Sequence, residues 1–237
     1  MYGDLHGCLA EFKTLRAKIN PSKNDREIVI GDILDRGPSS NELLAYIRKH
    51  SIESILGNHE YKYIRYQKHY EKFLQTSKKI PMKLTSTEAK IFETLTDEDF
   101  NYLNSLPYFI KIDNLTLLHA GITNKINLDK IDKDDLSKLL WIRTLDKNQK
   151  ILSLKDDKDD AKHWSEYYNG NQGIIVYGHQ AFKDVKINKY SLGIDTGCVY
   201  GNKLTAVIIE NTINPLSDYE LVSVPSKQKR DKQYELK

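Results

Sequence analysis

Five short fragments of the sequence share one design, in which a possible metal ligand lies beside a glycine after an apolar run or at the chain start. A side chain that reaches a ligand from the carboxyl end of a strand needs a sharp turn there, and glycine permits such a turn. The pattern therefore predicts several strand ends gathered around metal ions. The fragments are Gly3-Asp4-Leu5-His6-Gly7, Gly31-Asp32-Ile33-Leu34-Asp35-Arg36-Gly37, Gly57-Asn58-His59-Glu60, His119-Ala120-Gly121 and Gly178-His179.

Short apolar, β-branched runs bounded by glycines and polar turns recur along the chain and predict buried strands. Between the early runs lie helical patterns, one over residues 9–19 that stops at Asn20-Pro21, and one that Ser40 or Asn41 could cap. This alternation predicts a βαβ sheet at the front of the chain. The runs after about residue 170 follow one another without helices, which suggests a second, more antiparallel sheet packed on the first. The predicted strands are Ile28–Ile30, Ile52–Leu56, Leu115–Leu118, Ile174–Tyr177, Ser191–Ile194, Leu204–Ile209 and Leu221–Val224.

The segment from Tyr61 to Tyr108 breaks this rhythm. It is rich in Lys, Glu and Tyr, it has a helical pattern, and Pro81 and Pro107 interrupt it. One interpretation is a covering helix that is packed by amphipathic aromatic residues. The other is a cap over the site whose tyrosines touch a substrate base or peptide.

The front of the chain is short for the fold that the motifs require. A strand should precede Asp4, yet only Met1 and Tyr2 come before Gly3. A missing central strand would leave its neighbours with unpaired edges. We therefore expect an apparently truncated first strand and an incomplete N-terminus.

Composition narrows the functional classes. The 237 residues, 39% hydrophobic and 29% charged, fit one α/β domain of ordinary globular type. No membrane-spanning run or signal peptide is visible, and two cysteines, Cys8 and Cys198, are too few for a disulfide framework. We therefore expect two buried or semi-buried thiols and a cytoplasmic location. A net charge of +3 is too slight to indicate a nucleic-acid partner. The basic stretch Lys227 to Lys232 is interpreted as a solvated end.

The ligand types indicate the metal class. Asp4 and His6 can point at one ion if the backbone turns at Gly7, and Asp32, at the end of the next parallel strand, could bridge two ions. Mixed oxygen and nitrogen donors suit Mn, Fe or Zn rather than a soft thiolate site. Two ions roughly 3.5–4 Å apart would share a hydroxide and hold a phosphoryl group for in-line attack. Asn58, His119 and His179 could complete the second ion.

Three further residues of these fragments have side chains suited to phosphate chemistry. Arginine binds phosphate through two hydrogen bonds, which favours Arg36 as a substrate ligand. His59 beside a carboxylate such as Asp35 could stay protonated and give its proton to the leaving oxygen.

These blocks resemble the calcineurin-like metallophosphoesterases, and specifically the phosphoprotein-phosphatase branch, which the ending Asp35-Arg36-Gly37 separates from the exonuclease and cyclic-nucleotide branches. Leu140-Trp141-Ile142-Arg143 and the stretch from Ile194 to Thr205 are similar to bacterial and phage members that include Ser/Thr protein phosphatases and diadenosine tetraphosphatases. The resemblance implies an α/β fold, a two-sheet β-sandwich flanked by helices. It also implies one metallophosphoesterase domain over residues 1–224, with a helical cap-like insertion at about 61–108 and a polar basic tail at 225–237.

Carried over to this sequence, the resemblance implies a role for each matched residue. Two divalent ions, taken as Mn with Fe or Zn as alternatives, would share Asp32. His59 with Asp35 would act as the acid pair, while Arg36 and Arg143 would bind the phosphate. The implied ligands are Asp4, His6 and Asp32 on the first ion, and Asp32, Asn58, His119 and His179 on the second.

Three functions are compatible with these residues. The leading hypothesis is a Ser/Thr phosphoprotein phosphatase, whose partner is a phosphorylated protein. The alternative is a bis(5'-nucleosyl)-tetraphosphatase, whose substrate is a nucleoside polyphosphate, and the loops around the site would decide between the two. A non-catalytic scaffold of the same fold is the remote alternative, because it predicts lost ligands and all of them are present.

Overall fold

The computed structural model describes residues 1–153, 156, 159–231 and 236, so residues 232–235 and 237 of the predicted tail lie outside the described part. Short strands form two main sheets and one small sheet. The strands are β1 (Ile28–Val29), β2 (Glu53–Ser54), β3 (Phe109–Ile112), β4 (Leu115–Leu118), β5 (Thr144–Leu145), β6 (Ile151–Leu152), β7 (Lys162–His163), β8 (Ile174–Tyr177), β9 (Lys186–Asn188), β10 (Ser191–Gly193), β11 (Lys203–Ile209) and β12 (Tyr219–Pro225).

Helices cover the outer faces of the sheets. They are α1 (Leu9–Ile19), α2 (Ser40–Lys49), α3 (Asn58–Thr76), α4 (Ser86–Thr94), α5 (Asp97–Ser105), α6 (Lys133–Lys138) and α7 (Trp164–Tyr167), with 3₁₀ turns at Leu128–Lys130 and Cys198–Tyr200. The left-handed C-cap at Asn20 ends α1 where the sequence predicts it, and α2 begins at Ser40 with Ser39 as its N-cap. Among the described residues, no helix is both long and apolar enough to span a bilayer.

The larger sheet has the order β3-β4-β8-β10-β9. Its central pairs, β4 with β8 and β8 with β10, are parallel, whereas β3 and β9 are antiparallel edge strands. All four residues of β4 and of β8 are buried, as expected for strands covered on both faces.

The second sheet contains the start of the chain. Tyr2 forms a parallel bridge to Val29 of β1 and an antiparallel bridge to Ala206 of β11, which gives the order β2-β1-Tyr2-β11-β12. The backbone of Tyr2 donates to the Ile28 oxygen at 2.8 Å and accepts from the Ile30 nitrogen at 2.9 Å. The expectation of unpaired edges around a missing strand is therefore wrong at these positions, because residues 1–3 occupy the place between β1 and β11.

The strands after residue 170 divide between the two main sheets. As predicted, β8, β9 and β10 lie in a second sheet that packs on the front one, but the β11–β12 hairpin joins the front sheet itself. The prediction of one more antiparallel sheet for all of these strands was wrong for that hairpin and for the parallel pair β8–β10, because an apolar run reports burial on both faces and carries no information about its partner strand.

The two main sheets pack face to face around an apolar core. Side chains from the second sheet, such as Ile30 and Val207, share one cluster with Leu117, Val176 and Leu192 from the larger sheet. A second cluster packs α1, α2 and the helices of the 58–105 segment on the outer face of the second sheet, and a third packs Trp164 on the larger sheet. The predicted α/β sandwich of two sheets flanked by helices is confirmed.

The segment from Tyr61 to Tyr108 folds as the remainder of α3 followed by α4 and α5. Tyr66 and Tyr70 pack their rings against Phe92 of α4, with centroid distances of 4.8 and 5.6 Å. These two tyrosines therefore join the helices to one another, as the packing interpretation predicts.

The first residues of the predicted tail lie against the domain. The side chains of Lys227 and Lys229 are exposed, but the backbone nitrogen of Lys227 donates to the buried carboxylate of Glu11 at 2.8 Å. The segment is solvated on its outer side and attached to α1 on its inner side.

The apolar face of α2 gives a direct test of this packing. Leu44 is fully buried in the second cluster, whereas Lys49 of the same helix is exposed. We expect Leu44→Ala to lower the free energy of unfolding by about 2–5 kcal/mol through lost burial and a residual cavity. Lys49→Ala, the matched control, should change it by less than about 1 kcal/mol. Urea unfolding followed by circular dichroism measures both, and equal effects would contradict the packing described here.

Candidate metal centre

The predicted ligands lie where parallel strands of the two sheets end. Asp4 follows the bridge residue Tyr2, Asp32 follows β1, and Asn58 begins α3 after β2. His119 follows β4, and His179 follows β8. Because the carboxyl ends of parallel strands lie at one edge of a sheet, the two sheets bring all of these side chains to one place.

Asp32 lies at the centre of the cluster. Its Oδ2 atom is 3.5 Å from Nε2 of His6, and its Oδ1 atom is 3.3 Å from Nε2 of His119. Oδ1 also accepts a hydrogen bond of 3.1 Å from the backbone nitrogen of His59 in the first turn of α3. One carboxylate thus faces a histidine on each side, as a bridging ligand must.

A second group of donors gathers around the Asn58 amide oxygen. That oxygen is 2.9 Å from Nε2 of His119 and 2.7 Å from Nδ1 of His179. Asp32, His119 and His179 are all buried and offer ligand atoms within 4.8 Å of one another. Nitrogen and oxygen donors at this spacing fit a divalent cation of the Mn, Fe or Zn type.

Asp4 provides a separate indication that cations fit here. Its Oδ2 atom accepts a 2.9 Å hydrogen bond from the His179 backbone nitrogen, while Oδ1 is buried with no hydrogen-bond partner among the described residues. Burial, together with the neighbouring carboxylates of Asp195 and Asp32, raises the pKa of Asp4. A buried carboxylate that faces other carboxylates requires a proton or a cation, and a metal ion meets this need.

Backbone carbonyls orient two of the histidines. Nδ1 of His6 lies 2.9 Å from the Leu34 oxygen, and Nδ1 of His119 lies 2.8 Å from the Ile30 oxygen. A carbonyl oxygen can only accept, so these partners place a ring proton on Nδ1 and direct Nε2 of each ring toward Asp32. Burial lowers the pKa of His6 to about 3, which keeps that ring neutral at pH 7.

His59 and Asp35 form a hydrogen-bonded pair beside the ligands. Nδ1 of His59 lies 2.6 Å from Oδ2 of Asp35, and the hydroxyl of the fully buried Tyr63 donates to the other carboxylate oxygen. Burial alone would lower the pKa of His59, but the carboxylates of Asp32 and Asp35 outweigh it and raise that pKa. The arrangement favours the protonated form of His59 at the edge of the site.

The two predicted phosphate ligands have different surroundings. Arg36 is exposed, and its guanidinium lies 5.3 Å from the centre of the Tyr200 ring. Arg143 is half-buried, and its Nε atom donates to Nε2 of His179 at 2.8 Å. Arg143 therefore contacts the predicted ligand set directly, whereas Arg36 lies over an aromatic ring at its rim.

Sharp turns at the site are made by the functional residues themselves. His6, Asp32, Asp35, Arg36 and His179 all have positive φ angles, between 41° and 73°. Glycines were predicted to provide these turns, and Gly31 does so with a φ of 82°. Strained backbone at non-glycine residues costs free energy and is found where function requires it.

Gly178 has a different role, which is close approach. A Cβ atom at this position would lie 1.9 Å from Oδ1 of Asp4. The absence of a side chain lets the strand end after β8 pass directly over the Asp4 carboxylate, which brings His179 to the site.

Glu60 is a functional residue whose role the sequence analysis missed. Its buried carboxylate accepts hydrogen bonds of 2.9 Å from the backbone nitrogens of Asp32, Ile33 and Leu34, and one of 3.1 Å from that of Gly57. Burial and the nearby Asp32 raise its pKa to about 7. The signal was its place at the end of Gly57-Asn58-His59-Glu60, which also fits a capping box at the start of α3.

Two aromatic residues at the rim were also missed as site residues. Trp141 is 49% exposed, and its ring stands edge-on to His179 with a centroid distance of 6.4 Å. Tyr200 lies under Arg36 on the 3₁₀ turn after Asp195. Asp195 itself accepts a 2.9 Å hydrogen bond from the Gly197 nitrogen, the turn-forming role that its sequence position suggests.

Comparison with known proteins decides the family. The model of the calcineurin-like phosphoesterase family matches residues 1–228. This chain is a calcineurin-like phosphoesterase. Members of the family use a binuclear centre of divalent metal ions, and the chain is accordingly a hydrolase that acts on phosphoric ester or anhydride bonds.

Individual relatives match almost the whole length of this chain. The chain is 29% identical to the asymmetrical bis(5'-nucleosyl)-tetraphosphatase PrpE of Oceanobacillus iheyensis, over 95% of this chain and 91% of the relative. It is 28% identical to the Bacillus subtilis protein of the same name, over 94% and 92% of the two chains. A solved structure described as a putative diadenosine tetraphosphatase superposes with a TM-score of 0.73 at 23% identity, over 95% and 91% of the chains, which shows the shared fold.

Glu60 offers a stability test of the site's framework. Glu60→Ala leaves four buried backbone N–H groups without their carboxylate. Hydrogen bonds to a charged group contribute about 1.5–3 kcal/mol each, and they are not additive, so we expect a loss of about 3 kcal/mol or more in the free energy of unfolding. Chemical denaturation measures it, with the exposed Glu71→Ala of α3 as the control. A loss below about 1 kcal/mol would contradict this role.

Tyr63 offers a test of the acid pair. Tyr63→Phe removes the hydroxyl that fixes Asp35 but keeps the buried ring. The loss of one hydrogen bond that contributes about 1 kcal/mol corresponds to a roughly five-fold fall in kcat. We expect this fall in the variant, with KM and the amount of bound metal near the wild-type values. Tyr66→Phe, which alters a ring packed on Phe92, should leave kcat unchanged. Equal kcat values for the two variants would remove Tyr63 from the positioning network.

Proposed function

We propose that this chain hydrolyses bis(5'-nucleosyl) tetraphosphates asymmetrically, to a nucleoside triphosphate and a nucleoside monophosphate. The main support is that relatives matched over about 95% of the chain are named as enzymes with this activity. The Ser/Thr phosphoprotein phosphatase hypothesis has no comparable support among these relatives. The order of the two hypotheses is therefore the reverse of the order inferred from sequence motifs.

We further propose a ligand for each ion. Asp4, His6 and Asp32 would hold the first divalent ion, and Asp32, Asn58, His119 and His179 would hold the second, with Mn as the proposed metal and Fe or Zn as alternatives that the mixed oxygen and nitrogen donors also suit. When bound, such ions lower the pKa of water and neutralise charge on a phosphoryl group. The orphaned buried oxygen of Asp4 and the facing histidines on Asp32 support this assignment.

Residues of the chain supply the rest of the chemistry. Arg143 and Arg36 would bind the phosphate oxygens, because a guanidinium matches them with paired N–H donors. His59 would give its proton to the leaving phosphate oxygen, and Asp35 would hold the ring in position for that transfer. The raised pKa of His59 supports the protonated form that this role needs.

Aromatic side chains at the rim favour a nucleotide over a peptide. Trp141 is 49% exposed, and its ring stands beside His179, whose Nε2 atom accepts from the proposed phosphate ligand Arg143. Tyr200 is half-buried and lies beneath the other proposed phosphate ligand, Arg36. Bases stack on exposed aromatic rings, and each such contact contributes about 1–3 kcal/mol. A dinucleoside polyphosphate has bases as well as phosphates, and the exposed ring of Trp141 offers a stacking position for one of them.

A product assay tests the proposal. Diadenosine tetraphosphate, p-nitrophenyl phosphate and a phosphothreonine peptide are each incubated with the Mn²⁺-loaded protein, and nucleotide products are separated by ion exchange. We expect equal amounts of ATP and AMP from the dinucleotide and poor turnover of the peptide.

Variants separate the chemistry from the specificity. Asp32→Asn weakens both ions and should abolish turnover of every substrate, while His59→Asn should reduce kcat with metal content near normal. Two ADP molecules as the product would contradict asymmetric cleavage. Faster release of phosphate from the peptide would restore the protein phosphatase hypothesis.

A further inference from the structure

A second group of possible metal ligands lies outside the centre described above. Cys8 is the N-cap of α1, and Glu11 is three residues further on the same face of that helix. Cys198 begins the 3₁₀ turn that follows β10 and Asp195. Residues separated by 190 positions in the sequence thus meet at one point of the fold.

The geometry of the group is compact and dry. The two Sγ atoms and a carboxylate oxygen of Glu11 lie within 4.8 Å of one another. Cys8, Glu11 and Cys198 are 0%, 1% and 2% exposed. In a tetrahedral zinc site with Zn–S bonds of about 2.3 Å, two sulfur ligands are about 3.8 Å apart, so small side-chain adjustments suffice to close this group on an ion.

The Glu11 carboxylate provides the independent indication of a ligand. Its Oε1 atom accepts two hydrogen bonds, one of 2.8 Å from the backbone nitrogen of Lys227 and one of 2.9 Å from the side-chain Nε2 atom of Gln228. Its Oε2 atom is fully buried and has no hydrogen-bond partner among the residues that the structure describes. A buried carboxylate oxygen with no donor is costly, and a cation at this position removes the cost.

We propose that Cys8, Glu11 and Cys198 bind one Zn²⁺ ion. Both cysteines bind as thiolates, so two protons leave to solvent as the ion enters, and Glu11 binds through Oε2. These three side chains supply three of the four positions of the tetrahedron. The charges of two thiolates and one carboxylate exceed the charge of the ion by one. Thiolate ligands favour Zn²⁺ over a hard ion such as Mg²⁺, which prefers oxygen ligands.

The site joins three separate parts of the chain. α1 carries Cys8 and Glu11, the turn after β10 carries Cys198, and residues 226–228 are held through Glu11 and through the Ser226 hydroxyl, which donates to the Cys198 oxygen at 2.7 Å. Cys8 comes two residues after His6, and Cys198 comes three residues after Asp195. The ion therefore fixes the backbone behind two loops of the catalytic centre without touching that centre.

Cobalt substitution tests the proposal on the full chain. Reduced, metal-free protein is titrated with Co²⁺, and the near-ultraviolet thiolate-to-cobalt charge-transfer band is recorded, since oxygen and nitrogen ligands do not produce it. We expect the band in the wild type at one thiolate-bound ion per chain, and we expect Zn²⁺ to displace it.

Variants assign the band to its residues. Cys8→Ser and Cys198→Ser should each abolish it, and the conservative Glu11→Gln should weaken Co²⁺ binding at this site. Asp32→Asn should keep the band although its catalytic ions are lost, which separates this site from the proposed function. Ser191→Ala, which removes a buried hydroxyl of β10, is the matched control and should also keep it.

Three outcomes overturn the proposal. A wild-type protein that shows no band, while both thiols react stoichiometrically with a thiol reagent after unfolding, binds no ion here. A Cys8–Cys198 disulfide in the protein as isolated would show a redox pair in place of a metal site. A band of undiminished intensity in Cys198→Ser would leave Cys8 as the sole thiolate ligand and remove Cys198 from the site.

Discussion

The buried carboxylate of Glu60 is the interaction on which the metal centre depends. It collects the backbone N–H groups of three consecutive residues after β1 and that of Gly57 before α3. Asp32, the proposed bridging ligand, and Asn58, a proposed ligand of the second ion, lie on the two segments that it joins. Because each backbone group is buried, another acceptor cannot replace Glu60, and the relative position of β1 and α3 follows from this one side chain.

Around this framework, the fold concentrates buried charge and backbone strain that would be unfavourable elsewhere. Carboxylates of Asp4, Asp32 and Asp195 lie close enough that burial and mutual repulsion raise the pKa of Asp4 and bring that of Asp195 to about 6. Positive φ angles at five of the functional residues add to the cost. The apolar clusters on both faces of the sandwich offset it, and divalent ions match the charge that remains.

The surroundings of the centre separate positioning from recognition. Tyr63 and the carbonyls of Leu34 and Ile30 lie behind the side chains that they orient, inside the protein. Trp141 and Arg36 lie at the exposed rim, where a substrate can reach them. In the proposed function, the buried groups therefore hold the metal ligands and the acid pair, whereas the exposed groups at the rim would contact the substrate.

Local patterns in the sequence were sufficient to find the residues that gather at the centre and most helices and strands. The glycine-flanked motifs identified Asp4, His6, Asp32, Asn58, His119 and His179, and the structure brings all six together. The apolar runs located seven strands, because burial leaves its mark on each run separately. Short, less apolar strands such as β5 and β9 were missed, since their pairing partners, rather than their own residues, make them strands.

Only the tertiary structure decided how distant pieces meet. The placement of Tyr2 between β1 and β11, the sharing of the late strands between both sheets, and the approach of Cys198 to Cys8 and Glu11 all depend on long-range pairing. The sequence by itself determined which residues could bind metal and that strand ends would carry them, because those properties are local. Which strand lies beside which, and therefore which buried carboxylate faces which neighbour, depends on the packing of the whole chain.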